Sequence, residues 1–163
     1  LLPMPITTRD VLARLAALNI TLPSSPPKPG GLYVPIQVRN NFAFVACQFA
    51  IADGKPTHTG RIGSDLTTAQ GAAAARLAAI NVLAQLHASI GFDCIEGLCR
   101  YEMYVQAADG WDEMPAVLDG ASRLFIDALG PEAGAHTRAP IGVARLPWNM
   151  PVELVSTFAL RSA

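Results

Sequence analysis

The chain has 163 residues, within the range of one domain and long enough to bury a sizeable core. It is 51% hydrophobic with a mean hydropathy of +0.30, yet carries a net charge of only -1. That balance supplies no field to gather nucleic acid or an acidic membrane surface, so neither is an expected partner. Arg14, Arg76, Asn81 and Gln85 interrupt the helical segments, so no apolar run reaches the length of a membrane span. Leu1-Leu2-Pro3-Met4-Pro5 lacks the basic region and long apolar run of a secretory signal. Cys47, Cys94 and Cys99 form no CxxC pair and leave one over, which reads as reduced, buried thiols. The location expected is therefore cytoplasmic.

In chain order, Thr7 to Leu18 places Val11, Leu12, Leu15 and Leu18 on one helical face. Pro23 to Gly31 is an extended linker whose prolines forbid helix. Residues 1–29 are thus read as an N-terminal helix with a Pro-rich linker, and 30–163 as the main domain. Tyr33 to Val38 and Phe42 to Phe49 form a hairpin around Arg39-Asn40-Asn41, Asp53-Gly54 makes a turn, and His58 to Asp65 a loop.

An Ala-rich helix runs from Thr68 to His87, with Thr67 as its N-cap and Gln70 completing a capping box. Cys94 to Val105 is a strand, so Cys94 and Cys99 point to opposite faces. Met114 to Leu129 is a second long helix, with Asp112 as its N-cap. Two further strands follow, the first running toward Pro147 and the second covering Val152 to Leu160, joined by a Pro/Asn turn. The order is β-β-α-β-α-β-β: an α+β fold with a mixed sheet and two long helices on one face.

Face polarity carries a further consequence. Phe42 to Cys47 is apolar at both parities, and Val155 and Ala159 lie opposite the Leu154/Phe158 face. Two helices cover one face only, so the second face must be buried against another chain. An obligate oligomer with sheets packed in its interior is expected.

Arg138 stands at the mouth of the penultimate strand, and Glu153 is a lone carboxylate in an otherwise apolar last strand. An apolar strand rarely accepts a carboxylate without compensation. A guanidinium holds a carboxylate by two parallel hydrogen bonds. Read alone, Arg138 is more often a solvated strand-end arginine, and Glu153 is equally a partner of Arg145 or Arg161 across the sheet. His136 faces the same side as Arg138, although a solvated loop histidine is the commoner case. His58, His87 and His136 share no metal-ligand spacing, so no metal and no cofactor are expected.

Arg138, then Val143-Ala144-Arg145-Leu146-Pro147, then Val152-Glu153 resembles the signature of the RidA/YjgF family of reactive-intermediate (enamine/imine) deaminases. Gly31-Leu32-Tyr33 resembles its early G-x-Y, and Ala46-Cys47-Gln48 stands where the family usually has S-G-Q. Gly60 to Thr67, Gln70-Gly71 and Ala74-Ala75 look like a longer subgroup. The likeness runs from about Gly30 to Leu160, leaving the N-terminal helix outside the short members.

The resemblance implies a chorismate-mutase-like fold and a homotrimer with ligand clefts between neighbouring subunits. It further implies cofactor-free hydrolysis of 2-imino or enamine acids to 2-oxo acids and ammonia. Arg138 would bind the substrate carboxylate and Glu153 would orient the attacking water. Tyr33, Cys47 and Ala139 would line the substrate site. Cys47 replaces a family glycine and narrows the cleft. Pro140 and Gly142 also depart from the family, and Pro140 requires an edge or a bulge. A family asparagine falls at Leu118 or Asp119 and is assigned to neither. Two alternatives are a non-catalytic trimer that binds a small carboxylate, and a pathway-specific member acting on a larger metabolite. Ribonuclease activity fits the near-neutral charge least well.

Overall fold

A computed structural model describes residues 4–162; the Leu1-Leu2-Pro3 part of the signal-peptide reading lies outside them. The elements are α1 (Thr8–Ala17), β1 (Ile36–Arg39), β2 (Phe42–Phe49), β3 (Ile51–Ala52) and β4 (Lys55–Pro56). They continue with α2 (Thr68–Ser89), β5 (Ile95–Gln106), α3 (Met114–Leu129), β6 (Thr137–Val143) and β7 (Val152–Leu160). Five strands make one mixed sheet in the order β1-β2-β7-β5-β6, with β5 and β6 parallel and the other neighbours antiparallel. This is the expected α+β order, with a small β3–β4 hairpin added at Asp53-Gly54, where both residues take positive φ.

Helix α2 begins as its sequence requires: the Thr67 side chain accepts from Gln70 N–H while the Gln70 side chain accepts from Thr67 N–H. Helix α3 does not start at an Asp112 cap. Its N-cap is Glu113, which makes no side-chain cap bond. The Glu113 carboxylate instead accepts from the Thr68 hydroxyl, and that hydroxyl accepts the Trp111 indole N–H at 3.1 Å. The starts of α2 and α3 are tied together at the expense of a local cap. Further along, a Cβ on Gly120 would lie 2.1 Å from the Ala72 carbonyl oxygen, so the two helices meet almost backbone to backbone there.

Both helices cover one sheet face. On β7, Val152, Leu154, Ser156 and Phe158 are buried beneath them, whereas Glu153, Val155 and Thr157 alternate onto the other face. Phe42 and Phe44 stand on that uncovered face with 43% and 47% of their surface exposed.

Strand β1 begins at Ile36 rather than Tyr33. Pro35 has no N–H to give the ladder, although its carbonyl accepts from Ala46 N–H at 2.9 Å. Pro140 sits on β6, which is an edge strand, as a missing ladder donor demands. The first helix packs on its own chain: Val11 and Leu15 are buried in the core shared with α2 and α3. All three cysteines are half-buried free thiols rather than fully buried ones, and Cys94 precedes β5, so only Cys99 lies in that strand. Among the described residues no helix is long and apolar enough to cross a membrane.

Candidate functional site

A cleft of about 340 Å³ opens where the end of β2 meets the start of β7. Tyr33, Cys47, Met150 and Glu153 line it, together with Trp148 and Pro27 to Gly30. Three expected site residues, Tyr33, Cys47 and Glu153, are thus brought together although 120 positions separate the first from the last. The cause is the β2–β7 pairing, in which Phe49 lies opposite Glu153. The register of that pair shifts between Val45 and Gln48, and this bulge presents Cys47 to the cleft.

Two buried glutamines hold the bulge. The Gln48 amide donates to the carbonyls of Ala46 and Cys47 at 3.1 and 3.0 Å. Gln85, on α2, donates to Gln48 Oε1 at 3.2 Å and to the Pro27 carbonyl at 2.6 Å. One turn earlier on the same helix face, Asn81 donates to the carbonyls of Phe49 and Ile51 at 2.8 and 3.0 Å. The end of β2 and the Pro-rich wall are therefore fastened to α2 by side-chain amides. Sequence reading treated Asn81 and Gln85 only as interruptions of an apolar helix. Their spacing of four within an Ala-rich helix was the available signal.

Burial raises the Glu153 carboxyl above the usual carboxylate range, and the Cys47 thiol beside it pulls partly the other way. The Cys47 thiol is itself pushed up, first by burial and then by the Glu153 charge, with Tyr33 opposing. Cys47 is thereby kept as a protonated S–H, unsuited to nucleophilic attack. The Tyr33 hydroxyl accepts from Gly30 N–H at 3.1 Å, which fixes the ring against the wall. Glu153 does not pair with Arg145 or Arg161. Arg161 is spent on the carbonyls of Asp93 and Ile6 at 2.9 and 3.3 Å, and among the described residues no salt bridge reaches Glu153.

Arg138 is elsewhere. It lies in register with Tyr101, whose side chain is buried beneath α3 with its hydroxyl on the Leu118 carbonyl at 2.9 Å. Arg138 shares that covered side. Its guanidinium donates to Asp119 at 2.7 Å, to Ser122 at 2.9 Å and to the Pro115 carbonyl at 3.3 Å. His136 reaches the same Ser122 hydroxyl at 2.9 Å, and its other ring nitrogen meets the Gly134 carbonyl at 2.6 Å. It is half-buried and bonded, not a solvated loop histidine. Ala139 falls on the opposite side of β6 from Arg138, opposite Glu102, and neither residue reaches the Glu153 cleft of its own chain.

The sequence profile of the family described as YjgF/chorismate mutase-like, putative endoribonuclease, matches residues 12–160. The chain belongs to the YjgF family. Protein TCP17 of Trypanosoma cruzi is 33% identical over 150 residues, covering 91% of this chain and 93% of its own. The crystal structure of Atu1372 from Agrobacterium tumefaciens, a protein of unknown function, is 31% identical, covers 94% of both chains and superposes with a TM-score of 0.87. Escherichia coli TdcF, solved with bound serine, shares the YjgF fold at 22% identity and a TM-score of 0.60, covering 84% of this chain and 94% of its own.

Proposed function

We propose that this YjgF-family chain is a cofactor-free hydrolytic deaminase of 2-imino and enamine acids, working in clefts between the subunits of a homotrimer. The observation that carries the reading is the division of the site. A half-buried carboxyl with a raised pKa faces a cleft at one end of the sheet, and among the described residues no salt bridge reaches it although Lys28 also lines the cleft. The arginine suited to a substrate carboxylate stands on the other side of the sheet, on the edge strand. The uncovered face with exposed Phe42 and Phe44 supports burial against further copies, and in the proposed trimer the Arg138 edge of one subunit meets the Glu153 cleft of another.

In that cleft Arg138 holds the carboxylate and fixes the imine carbon near the water on Glu153. The water oxygen bonds to the imine carbon as the C=N π pair moves to nitrogen. Glu153 takes a proton from the water and passes one to the nitrogen. The hydroxyl proton of the resulting carbinolamine then passes through Glu153 to the nitrogen as the C–N bond breaks and the C=O forms, which releases ammonia and leaves the 2-oxo acid. A carboxyl raised toward neutrality is suited to carrying that proton both ways. Such imines also hydrolyse unaided, so modest stabilisation suffices.

The test follows the disappearance of 2-imino acids generated by an amino-acid oxidase, with wild type beside Glu153→Gln. Accelerated decay that is lost in the variant is expected. Equal decay with both folded proteins overturns the reading.

The Arg138–Asp119 pair favours a second reading, a trimer that binds small carboxylates without turnover, since Asp119 already occupies the arginine. Tight 2-oxo acid binding with no acceleration of imine decay would establish it.

A further inference from the structure

Most of the residues around the Glu153 cleft are apolar. Its most unusual member is Trp148. This residue lies in the left-handed region at φ 55 and ψ 25, where a bulky side chain is a genuine outlier. The residue is also 68% exposed. The chain thus carries two unfavourable features at one position, backbone strain and bare apolar surface.

The backbone around Trp148 is held firmly. Gln106, 1% exposed, donates to Asn149 Oδ1 at 2.7 Å and accepts from Leu146 N–H at 2.7 Å. The Asn149 carbonyl accepts from Gly60 N–H at 2.8 Å, and Met150 N–H bonds the Pro147 carbonyl at 3.1 Å. Across the cleft, Gln85 fixes the Pro27 carbonyl, so the proline wall is equally set. Met150, Ile51 and Pro35, all apolar, line the same cleft, with Lys28 and Gln48 among its polar members.

A ligand whose reacting carbon sits at Glu153 has this largely apolar lining available to its side chain. We propose that the cleft selects 2-imino acids with long apolar side chains, and that Trp148 is the specificity-determining residue that covers them. The proposal rests on the Glu153 cleft being the substrate site and names its substrate class. Burying the side chain against the indole removes apolar surface of both from water. That gain is absent for the smallest acids, which end short of Trp148.

The experiment is calorimetric titration of the full chain with pyruvate, 2-oxobutyrate, 2-oxohexanoate and 2-oxooctanoate, the product forms of a graded series. Affinity is expected to rise roughly fourfold for each added methylene. Trp148→Gly, which suits the left-handed backbone and is expected to hold or raise Tm, should flatten the series. Trp148→Phe should restore most of the slope.

A flat wild-type series overturns the proposal, and so does an unchanged slope in Trp148→Gly. Dissociation of the oligomer by Trp148→Gly with the slope intact would make Trp148 an interface residue. A Trp148-dependent slope without imine turnover upholds the selectivity and overturns deamination. Turnover with a flat series does the reverse. If no member of the series binds, the selectivity falls, and deamination is decided by the imine-decay assay.

Discussion

Arg138 and Glu153 stand on opposite sides of one five-stranded sheet, with β5 between their strands. The register fixes this. Arg138 pairs with Tyr101, which is buried under α3, whereas Glu153 pairs with Tyr104, an odd number of residues further along β5 and so on the uncovered side. No side-chain rotation within one subunit brings the guanidinium to the Glu153 cleft. A site using both residues must draw them from two copies.

Glu153 sets a pH signature. Burial raises its folded-state pKa above the unfolded value, so the native chain binds the proton more tightly. Stability from this group is therefore full at low pH and declines as pH rises from the usual carboxylate range through the raised value. Melting temperature followed across that window should fall in wild type and stay flatter in Glu153→Gln. Parallel curves would show that the carboxyl is not held up by burial.

Gln85→Leu removes the donor to both the Pro27 carbonyl and Gln48 Oε1. Losing hydrogen bonds inside a buried network costs about 1–3 kcal/mol, read as a lower urea midpoint. The bulge at Cys47 and the proline wall loosen together, so 2-oxo acid affinity should fall as well. Loss of stability with unchanged affinity would separate the wall from the site.

Asp119→Ala frees Arg138 from an exposed partner. Stability should change by less than about 1 kcal/mol, because surface ion pairs contribute little. Carboxylate affinity should rise, since Asp119 no longer competes for the guanidinium. Affinity that stays constant or falls would mean that Asp119 orients Arg138 for its ligand.

Gly120→Ala tests the helix layer far from the cleft. The new Cβ would meet the Ala72 carbonyl oxygen, and backbone cannot rotate away as a side chain can. Overpacking of this kind costs roughly 1–3 kcal/mol. Thermal unfolding with the same Tm as wild type would show that α2 and α3 can separate cheaply.

Much of this was legible in the sequence where a single element decides the outcome. Thr67 and Gln70 marked the start of α2, Pro140 marked an edge strand, and the double-sided apolarity of β2 marked an uncovered face. The gathering of Tyr33, Cys47 and Glu153 also followed from motif positions. What was hidden depended on register and on long-range partners. Arg138 and Glu153 are near in sequence, but the side each takes is set by pairing with β5, which neither strand encodes alone. Asp112 looked like a better cap than Glu113 because Thr68, 45 residues from Glu113, cannot be seen from a local window. Gln85 and Trp148 read as unremarkable until the proline wall and the left-handed turn placed them beside the cleft.

The most direct test mixes two inactive parents. Arg138→Ala and Glu153→Gln chains, unfolded together and refolded in equal amounts, should form trimers in which about a quarter of the clefts carry both native halves. Imine decay is expected to be absent with either variant alone and to return to roughly that fraction of wild type in the mixture. Mixed oligomers that form but stay inactive would contradict a site shared between subunits.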